Sequence, residues 1–550
     1  MHNKDEKPGA LVDTEWLNEH LSDPGIKIID ARPTPFYLAG HIKNALNSSY
    51  SSSEYMSHGA DISRGGGVEV FSDPRKSLPY QDLPAQSLIE VMGNKLGIKR
   101  DDHVVIYTDG ADALASRLFY TLDSLGHRKT SILDGGFEQW QADNYETTDE
   151  MAKVKPVDYG VAEMDQGCCV DTGWVLANMA DPNIKLVAGL AYSRFYGPDV
   201  AQPRAGHLPG SVCIPYSAHF KRDGAWKSAD SIRKMYAGFG VMPEHTVIAY
   251  CNHNMHAAVN YFALRYIAGF TDVRMYMESA VGWCKDPREL TLVTYGDHKV
   301  LKETKWVFYW GVQAPPIMNE TGIRIVDVRS VKAYNEGHVP FSFNLPIDNF
   351  LSGEGAIQPV DKIEALLGAG GISRDCCVVV YDDGDAHDAA LLFWILEFLG
   401  QREAGVLNGG FAAWKQNNYM VNSDAAIIDD SKSDWTFDIS TRPAIYKSER
   451  REEKVATTGW VNEHSGDGDK TFLVSGEDED SPGSVHIPWL KGLVENKLDN
   501  AINLFNLYNK AGVNPMEEII CCSESIKDSA HAYFALRLLG YPRVRVSLSD

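Results

Sequence analysis

Long apolar runs are absent from this sequence of 550 residues. No stretch reaches the roughly 18 apolar residues that cross a bilayer, so we expect no transmembrane helix and no membrane partner. The first residues, MHNKDEKPGALVDTEW, also lack the apolar segment of a signal peptide. We therefore expect a cytoplasmic protein, with a periplasmic protein whose signal peptide has already been removed as the alternative.

Positive charge is scarce as well. Lysine and arginine total 52 against 75 aspartates and glutamates, which leaves a net charge of −23. Nucleic-acid binding needs a basic surface, so we expect no nucleic-acid partner. The same negative field repels a small anionic substrate at long range, and any site for such an anion has to be built locally.

Cysteine is sparse, with nine residues in the whole chain. None lies in a C-x-x-C pair with matching histidines, which argues against a zinc site, and the count is too low for a disulfide framework. Six of them form the adjacent pairs Cys168-Cys169, Cys376-Cys377 and Cys521-Cys522. We expect mostly reduced cysteines, one or two of them chemically active, and no metal.

What the sequence does contain is a long internal repeat. VVIYTDG...LDGGFEQW, which starts at Val104, returns as VVVYDDG...LNGGFAAW from Val378. Two further copies, VIAYCNHNMHAAVNYFALRYIAGF from Val247 and EIICCSESIKDSAHAYFALRLLGY from Glu518, keep the same order of strand, turn and helix. These copies predict four tandem domains, at residues 9–150, 160–296, 302–425 and 435–550.

Each predicted domain alternates short apolar runs with amphipathic helices such as SRLFYTLDSLG. Continuous apolar runs suit strands that are buried on both faces. We therefore predict the α/β class, with one small parallel sheet in each domain and helices on both faces of it. In such sheets, functional sites form beyond the carboxyl ends of the strands.

Cys251 stands at such an end, between the apolar run VIAY and a predicted helix. Free cysteine has a pKa of about 8.5, and the attacking species must be the thiolate. A cysteine just before a helix faces unpaired backbone N–H groups and the positive end of the helix dipole, which favour the thiolate. We predict that Cys251 is a nucleophile; a buried structural cysteine is the alternative.

The other copies place different residues at this turn. Ungapped alignment puts Thr108, Asp382 and Ser523 opposite Cys251. Because Thr108 and Asp382 carry no sulfur, the first and third domains are predicted to be catalytically silent. If the fourth loop is one residue longer, Cys522 replaces Ser523 and becomes a second candidate site; otherwise the fourth domain is degenerate or truncated.

These motifs together resemble the rhodanese, or thiosulfate sulfurtransferase, family. The resemblance rests on DAR...FYLAGHI, SRFYG...RAGHLPGSVCIPY and DVR...AYNEGHV, on the LDGGFEQW and LNGGFAAW endings, and on the strand–Cys–loop–helix order around Cys251. It implies an enzyme that moves a sulfane sulfur from a small anionic donor, such as thiosulfate or 3-mercaptopyruvate, through a Cys251 persulfide. The acceptor would be a thiol, cyanide or a protein, and no cofactor is required because the cysteine carries the sulfur.

The resemblance also implies the residues of the site. The family's active loop has six residues, which here are Cys251, Asn252, His253, Asn254, Met255 and His256. Arg194 in SRFYG matches the family's substrate-binding arginine. A planar guanidinium suits an anionic donor.

The chain departs from the family's pattern at several points. Asn254 stands where the family often has glycine, and we expect it to keep a left-handed backbone, which asparagine tolerates. In place of a loop arginine or lysine the loop offers His253 and His256, which are only partly cationic near neutral pH. The Asp-x-Arg and Asp-Gly-Ser motifs read Ala188-Gly189-Leu190 and Met277-Glu278-Ser279. A non-catalytic rhodanese-like binding or regulatory scaffold is therefore the alternative function.

Overall fold

The computed structural model describes residues 9–48, 84–197, 202, 204–313, 322–353, 355–423, 444–477 and 483–548. The chain divides into two compact units, residues 1–293 and 294–550. Residues 435–443, where the fourth predicted domain begins, lie outside the described residues. Within the described ranges, no helix combines the length and the hydropathy that crossing a bilayer requires.

The first unit begins with a repeat built on one main sheet. Its strands are β1 (Leu11–Val12), β2 (Ile26–Asp30), β3 (His41–Ile42), β4 (Leu46–Asn47), β5 (His103–Tyr107), β6 (Thr130–Leu133) and β7 (Thr147–Thr148). Its helices are α1 (Thr14–His20), α2 (Thr34–Ala39), α3 (Ala85–Glu90), α4 (Leu114–Ser124) and α5 (Gly136–Ala142). Five strands pair in parallel in the order β1-β6-β5-β2-β4, while β3 and β7 form a small antiparallel pair.

The second repeat completes the first unit. Its strands are β8 (Cys169–Val170), β9 (Ile184–Ala188), β10 (Val212–Cys213), β11 (Thr246–Tyr250) and β12 (Asp272–Tyr276). Its helices are α6 (Thr172–Asn178), α7 (Tyr192–Tyr196), α8 (Ala229–Gly238), α9 (Met255–Phe262) and α10 (Ser279–Lys285). The parallel sheet has the order β8-β12-β11-β9-β10.

The third repeat opens the second unit. Its strands are β13 (Leu301–Lys302), β14 (Ile323–Asp327), β15 (Ser342–Asn344), β16 (Cys377–Tyr381) and β17 (Glu403–Leu407). Its helices are α11 (Thr304–Val307), α12 (Val331–Glu336), α13 (Val360–Ala369), α14 (His387–Phe398) and α15 (Gly410–Gln416). The parallel sheet has the order β13-β17-β16-β14-β15.

The fourth repeat completes the second unit. Its strands are β18 (Val455–Thr457), β19 (Lys470–Val474), β20 (Val485–His486), β21 (Leu493–Val494), β22 (Lys497–Leu498), β23 (Glu518–Cys521) and β24 (Val544–Leu548). Its helices are α16 (Thr458–His464), α17 (Ala501–Lys510) and α18 (Ile526–Leu538). The parallel sheet has the order β18-β24-β23-β19-β20, and β21 pairs with β22 as an antiparallel hairpin.

All four main sheets therefore share one topology, which confirms the predicted parallel α/β fold. Both faces of a sheet are covered, as the first repeat illustrates. Val105 and Tyr107 pack in one apolar cluster with Leu17 and Trp140. Val104 and its alternating neighbours point to the opposite face and are also fully buried. In each sheet the strand that precedes the loop of interest lies at the centre, so that loop emerges at the carboxyl edge of the sheet.

Candidate active site

Cys251 follows the last residue of β11, the central strand of the second sheet. Tyr250 at the end of that strand pairs with Ala188 at the end of β9. The Cys251 side chain is 2% exposed. The sulfur therefore lies at the carboxyl edge of the sheet, where parallel sheets form their sites.

The loop after Cys251 curls around its sulfur. Backbone N–H groups of His253, Asn254, His256 and Ala257 bond to Cys251 Sγ and lower the pKa of the thiol. Burial has the opposite and larger effect, so the pKa of Cys251 lies above its ordinary value. The N–H donors expected at the start of the helix therefore do face the sulfur. The sequence did not show how deeply Cys251 is buried, and burial disfavours the thiolate.

Asn254 gives this loop its curvature. Its φ is 73°, in the left-handed region, and α9 begins at the next residue. The expectation that asparagine keeps a left-handed backbone here is confirmed. Met255 and His256, which the sequence assigned to the loop, form the first turn of α9.

A second loop holds the first one in place. The Nδ2 group of Asn254 donates a hydrogen bond to the carbonyl oxygen of Met277. Ser279 Oγ donates to Asn254 Oδ1 at 2.6 Å. The same hydroxyl accepts a hydrogen bond from the backbone N–H of Cys251 at 3.4 Å. Sequence reasoning missed Ser279, because it treated Met277-Glu278-Ser279 only as a departure from a motif.

Strand pairing identifies the residues that are equivalent to Cys251. In the first three repeats a tyrosine ends the central strand, in the pairs Asp30–Tyr107, Ala188–Tyr250 and Asp327–Tyr381. The residues that follow these tyrosines are Thr108, Cys251 and Asp382. This register matches the ungapped alignment of the sequence.

The fourth repeat has a different residue at the strand end. Leu473 pairs with Cys521, so Cys522 takes the place of the tyrosine and Ser523 takes that of the nucleophile. The backbone nitrogen of Ser475 donates to Ser523 Oγ at 2.7 Å. The register favours the ungapped alternative, and Cys522 does not stand at the position equivalent to Cys251.

The third repeat fills its loop with a carboxyl group. The backbone nitrogens of Gly384 and Ala386 donate to Asp382 Oδ1 at 2.9 and 3.3 Å, and that of Ala389 donates to Oδ2 at 3.1 Å. Asp382 is 4% exposed, and burial raises its pKa to about 7. Equivalent loops therefore surround the thiol of Cys251 in the second repeat and the carboxyl group of Asp382 in the third.

The second repeat lacks the Asp-x-Arg pair, and this affects Asn252, the residue that follows Cys251. In the first and third repeats the arginine reaches the equivalent residue, in the pairs Arg32–Asp109 at 3.4 Å and Arg329–Asp383 at 3.1 Å. Leu190 replaces this arginine in the second repeat. There the side chains of Asn252 and Gln202 form a hydrogen bond instead.

Tyr216 contacts His256 of the loop and lies within the electrostatic range of Arg194. The Tyr216 ring stacks on the His256 imidazole with ring centroids 4.0 Å apart and planes 13° from parallel. Burial and Asp112 raise the pKa of Tyr216, whereas the positive charge of Arg194 lowers it. Arg194 on α7 is half-buried. Tyr216 therefore contacts the last loop residue directly and is influenced by the positive charge of Arg194.

Arg204 is a half-buried cationic residue beside Cys284 of α10 that sequence reasoning did not single out. Its Nη2 is buried and has no hydrogen-bond partner among the described residues. Burial raises the pKa of the Cys284 thiol, and hydrogen bonds and charge from Arg204 lower it. Cys284 belongs to α10, whose second residue, Ala280, donates its N–H to Cys251 O at 2.9 Å. The RAGHLPG motif contains Arg204, and a search for further anion-binding arginines there could have found it.

The first repeat supports the helix that follows Cys251. Phe119 on α4 meets Phe262 on α9 edge to face, with ring centroids 4.7 Å apart. Tyr261 Oη donates to the buried carboxylate of Asp123 at 2.7 Å. The described residues contain no cluster of three or more His, Cys, Asp or Glu side chains suited to a metal ion.

Comparison with known proteins identifies the fold family. The family described as the rhodanese-like domain matches residues 13–143, 171–286 and 315–417, more than half of the chain. The 3-mercaptopyruvate sulfurtransferase of Escherichia coli is 28% identical over 268 residues, 46% of this chain and 88% of that protein. The thiosulfate sulfurtransferase of Bos taurus is 29% identical over 299 residues, 52% of this chain and 96% of that protein.

Among solved structures, the anaerobic ergothioneine biosynthesis enzyme from Chlorobium limicola aligns with a TM-score of 0.42 and 15% identity, covering 69% of this chain and 95% of that one. The relatives named above are sulfurtransferases, and they support an enzyme of the rhodanese type. With three matches along its length, the chain belongs to the rhodanese-like family.

Proposed function

We propose that the chain transfers a sulfane sulfur from a small anionic donor, such as thiosulfate or 3-mercaptopyruvate, to a thiophilic acceptor through a persulfide on Cys251. The observation that carries this proposal is the convergence of loop N–H groups on Cys251 Sγ. Donors aimed at a sulfur stabilise either a thiolate or the outer sulfur of a persulfide. The names of the sulfurtransferase relatives support the choice of donors.

The transfer has two displacement steps. In the first, the Cys251 thiolate attacks the outer sulfur of thiosulfate; a new S–S bond forms, the donor's S–S bond breaks, and sulfite leaves with the electron pair. In the second, a thiolate or cyanide attacks the outer sulfur of the persulfide and regenerates the Cys251 thiolate. No net oxidation occurs, so these residues need no redox partner for the cycle.

Two arginines supply positive charge in a protein that is otherwise strongly acidic. Arg194 lies close enough to Tyr216 to lower the pKa of its phenol, and that ring contacts His256 of the loop. The Arg204 guanidinium hydrogen-bonds the Cys284 thiol on α10, and its buried Nη2 has no partner among the described residues. Guanidinium groups beside the site attract an anionic donor locally despite the net charge of −23.

The pKa of Cys251 sets the expected pH dependence. Burial raises it and thereby favours the protonated thiol over the thiolate. The rate of sulfur uptake is expected to increase with pH, with a midpoint above that of an ordinary cysteine.

Intact-mass measurement after incubation with thiosulfate or 3-mercaptopyruvate tests the proposal. We expect wild type to gain the mass of one sulfur atom, Cys251→Ser to gain none, and Cys522→Ser to gain one as the matched control. If wild type gains no sulfur from any donor, the proposal is wrong and the non-catalytic scaffold takes its place.

A further inference from the structure

Resting on the proposed role of Cys251 as the nucleophile, we propose that Asn254 and Ser279 act together as positioning residues that set the acidity of its thiol. The two side chains connect the loop that starts at Cys251 to the loop at residues 277–279. Neither residue is required to touch a substrate in this role. They act through the geometry of the backbone around the sulfur.

Both residues adopt a backbone conformation that usually belongs to glycine. The φ angles of Asn254 and Ser279 are 73° and 52°. In the first and third repeats the position of Ser279 is held by Gly136 and Gly410, with φ of 61° and 53°. These three positions are equivalent because the residue that follows each one donates its N–H to the carbonyl oxygen at the nucleophile position. The three hydrogen bonds are Phe137 to Thr108, Ala280 to Cys251 and Phe411 to Asp382.

The silent repeats show why glycine is the easier choice at this position. A Cβ placed on Gly136 would lie 2.2 Å from the Thr108 carbonyl oxygen. Ser279 nevertheless carries a Cβ at the corresponding place and is completely buried. A strained residue of this kind persists only where the surroundings hold it, and such residues concentrate at functional sites.

The hydroxyl of Ser279 makes contacts that glycine cannot make. It accepts from the Cys251 N–H at 3.4 Å and donates to Asn254 Oδ1 at 2.6 Å. The Asn254 amide closes the network by donating to Met277 O. Asn254 and Ser279 are 0% exposed, so water does not compete for these bonds.

The hydrogen bonds of Ser279 and Asn254 form a bridge between the two loops. The bridge holds the curled loop at two points, the backbone N–H of Cys251 and the side chain of Asn254. Between these points lies His253, whose N–H bonds to Cys251 Sγ together with that of Asn254. If the bridge is removed, these donors lose their fixed direction toward the sulfur. One hydrogen bond to a charged group corresponds to about one to two pKa units, so the pKa of Cys251 is expected to rise by about one unit.

The test is the pH dependence of Cys251 alkylation by iodoacetamide in the full chain, located by peptide mass mapping. Asn254→Gly keeps the left-handed backbone and deletes the bridge, and Ser279→Gly reproduces the residue of the silent repeats. We expect each variant to move the alkylation midpoint upward by about one pH unit. The double variant is expected to move it no further, because both residues belong to one network.

Ser217→Gly, at an exposed position of the same repeat, is the control and is expected to leave the midpoint unchanged. Unchanged midpoints in Asn254→Gly and Ser279→Gly, even with lower melting temperatures, would show a merely structural pair and overturn the inference. A downward shift of the alkylation midpoint would also overturn the inference. It would mean that the bridge mainly buries the thiol and does not direct N–H donors toward it. Alkylation does not depend on sulfur transfer, so a wild type that takes up no sulfur rejects the proposed function separately.

Discussion

The carboxyl group of Asp382 allows a quantitative test of how the third repeat fills its loop. Burial and the neighbouring charge of Asp385 raise its pKa to about 7, although N–H groups of Ala389 and Gly384 lower it. In an unfolded chain aspartate has a pKa of about 3.9. Between these two values the folded protein holds a proton that the unfolded chain has released, so stability decreases as the pH rises from about 4 to about 7.

Asp382→Asn removes this proton binding and keeps the size of the side chain. One pKa unit corresponds to about 1.4 kcal/mol, and Asp382 is half titrated at pH 7, so wild type is expected to lose about 2 kcal/mol relative to the variant between about pH 5 and pH 7. For a unit of this size the difference corresponds to about 4 to 8 °C in Tm.

Differential scanning calorimetry of the full chain from pH 5 to pH 8 measures the difference. Asp383→Asn is the matched control, because the neighbouring Asp383 side chain is 81% exposed, and its offset from wild type is expected to be the same at every pH. Parallel melting curves for wild type and Asp382→Asn would refute the reasoning. They would mean that the N–H donors outweigh burial and keep Asp382 ionised throughout.

Three further substitutions test other parts of the structure. Burial alone would raise the pKa of Glu397, but Arg537, 3.1 Å away, holds it at about 2. Glu397→Gln is therefore expected to cost about 3 kcal/mol at pH 7, a loss that fades as the pH falls from about 4.5 toward 2, measured by denaturant unfolding at both ends of the range. Tyr261→Phe removes the bond to buried Asp123 and is expected to destabilise the chain by about 1 to 3 kcal/mol in thermal unfolding; an unchanged Tm would contradict this. Arg194→Ala is expected to raise the KM for thiosulfate about tenfold, with partial recovery in Arg194→Lys, and an unchanged KM would remove Arg194 from the site.

The fold could be predicted because its signals are local and repeated. Short apolar runs, each followed by an amphipathic helix, specify buried parallel strands wherever they occur in the chain. Four copies of that pattern predicted four sheets, and the sheets share one strand order. The exact domain boundaries remain a prediction, since the turns and linkers between copies carry no comparable periodicity.

Much of the site could also be predicted, because the position of Cys251 depends on a single strand end. The left-handed backbone of Asn254 followed from side-chain chemistry at one residue. The choice between Cys522 and Ser523 did not follow, because one residue of loop length decides it and only the pairing of Leu473 with Cys521 shows the register.

By itself, the sequence determined that a cysteine stands at a strand-to-helix turn in one of four similar repeats. Only the tertiary structure decided how that cysteine is held. Ser279 and Gln202 come from segments 28 and 50 residues away from the groups they contact. The direction of the Cys251 pKa shift depends on burial, which arises when the whole repeat packs around the sulfur. Local patterns specify strands and turns, whereas contacts between distant segments and the exclusion of water exist only in the folded chain.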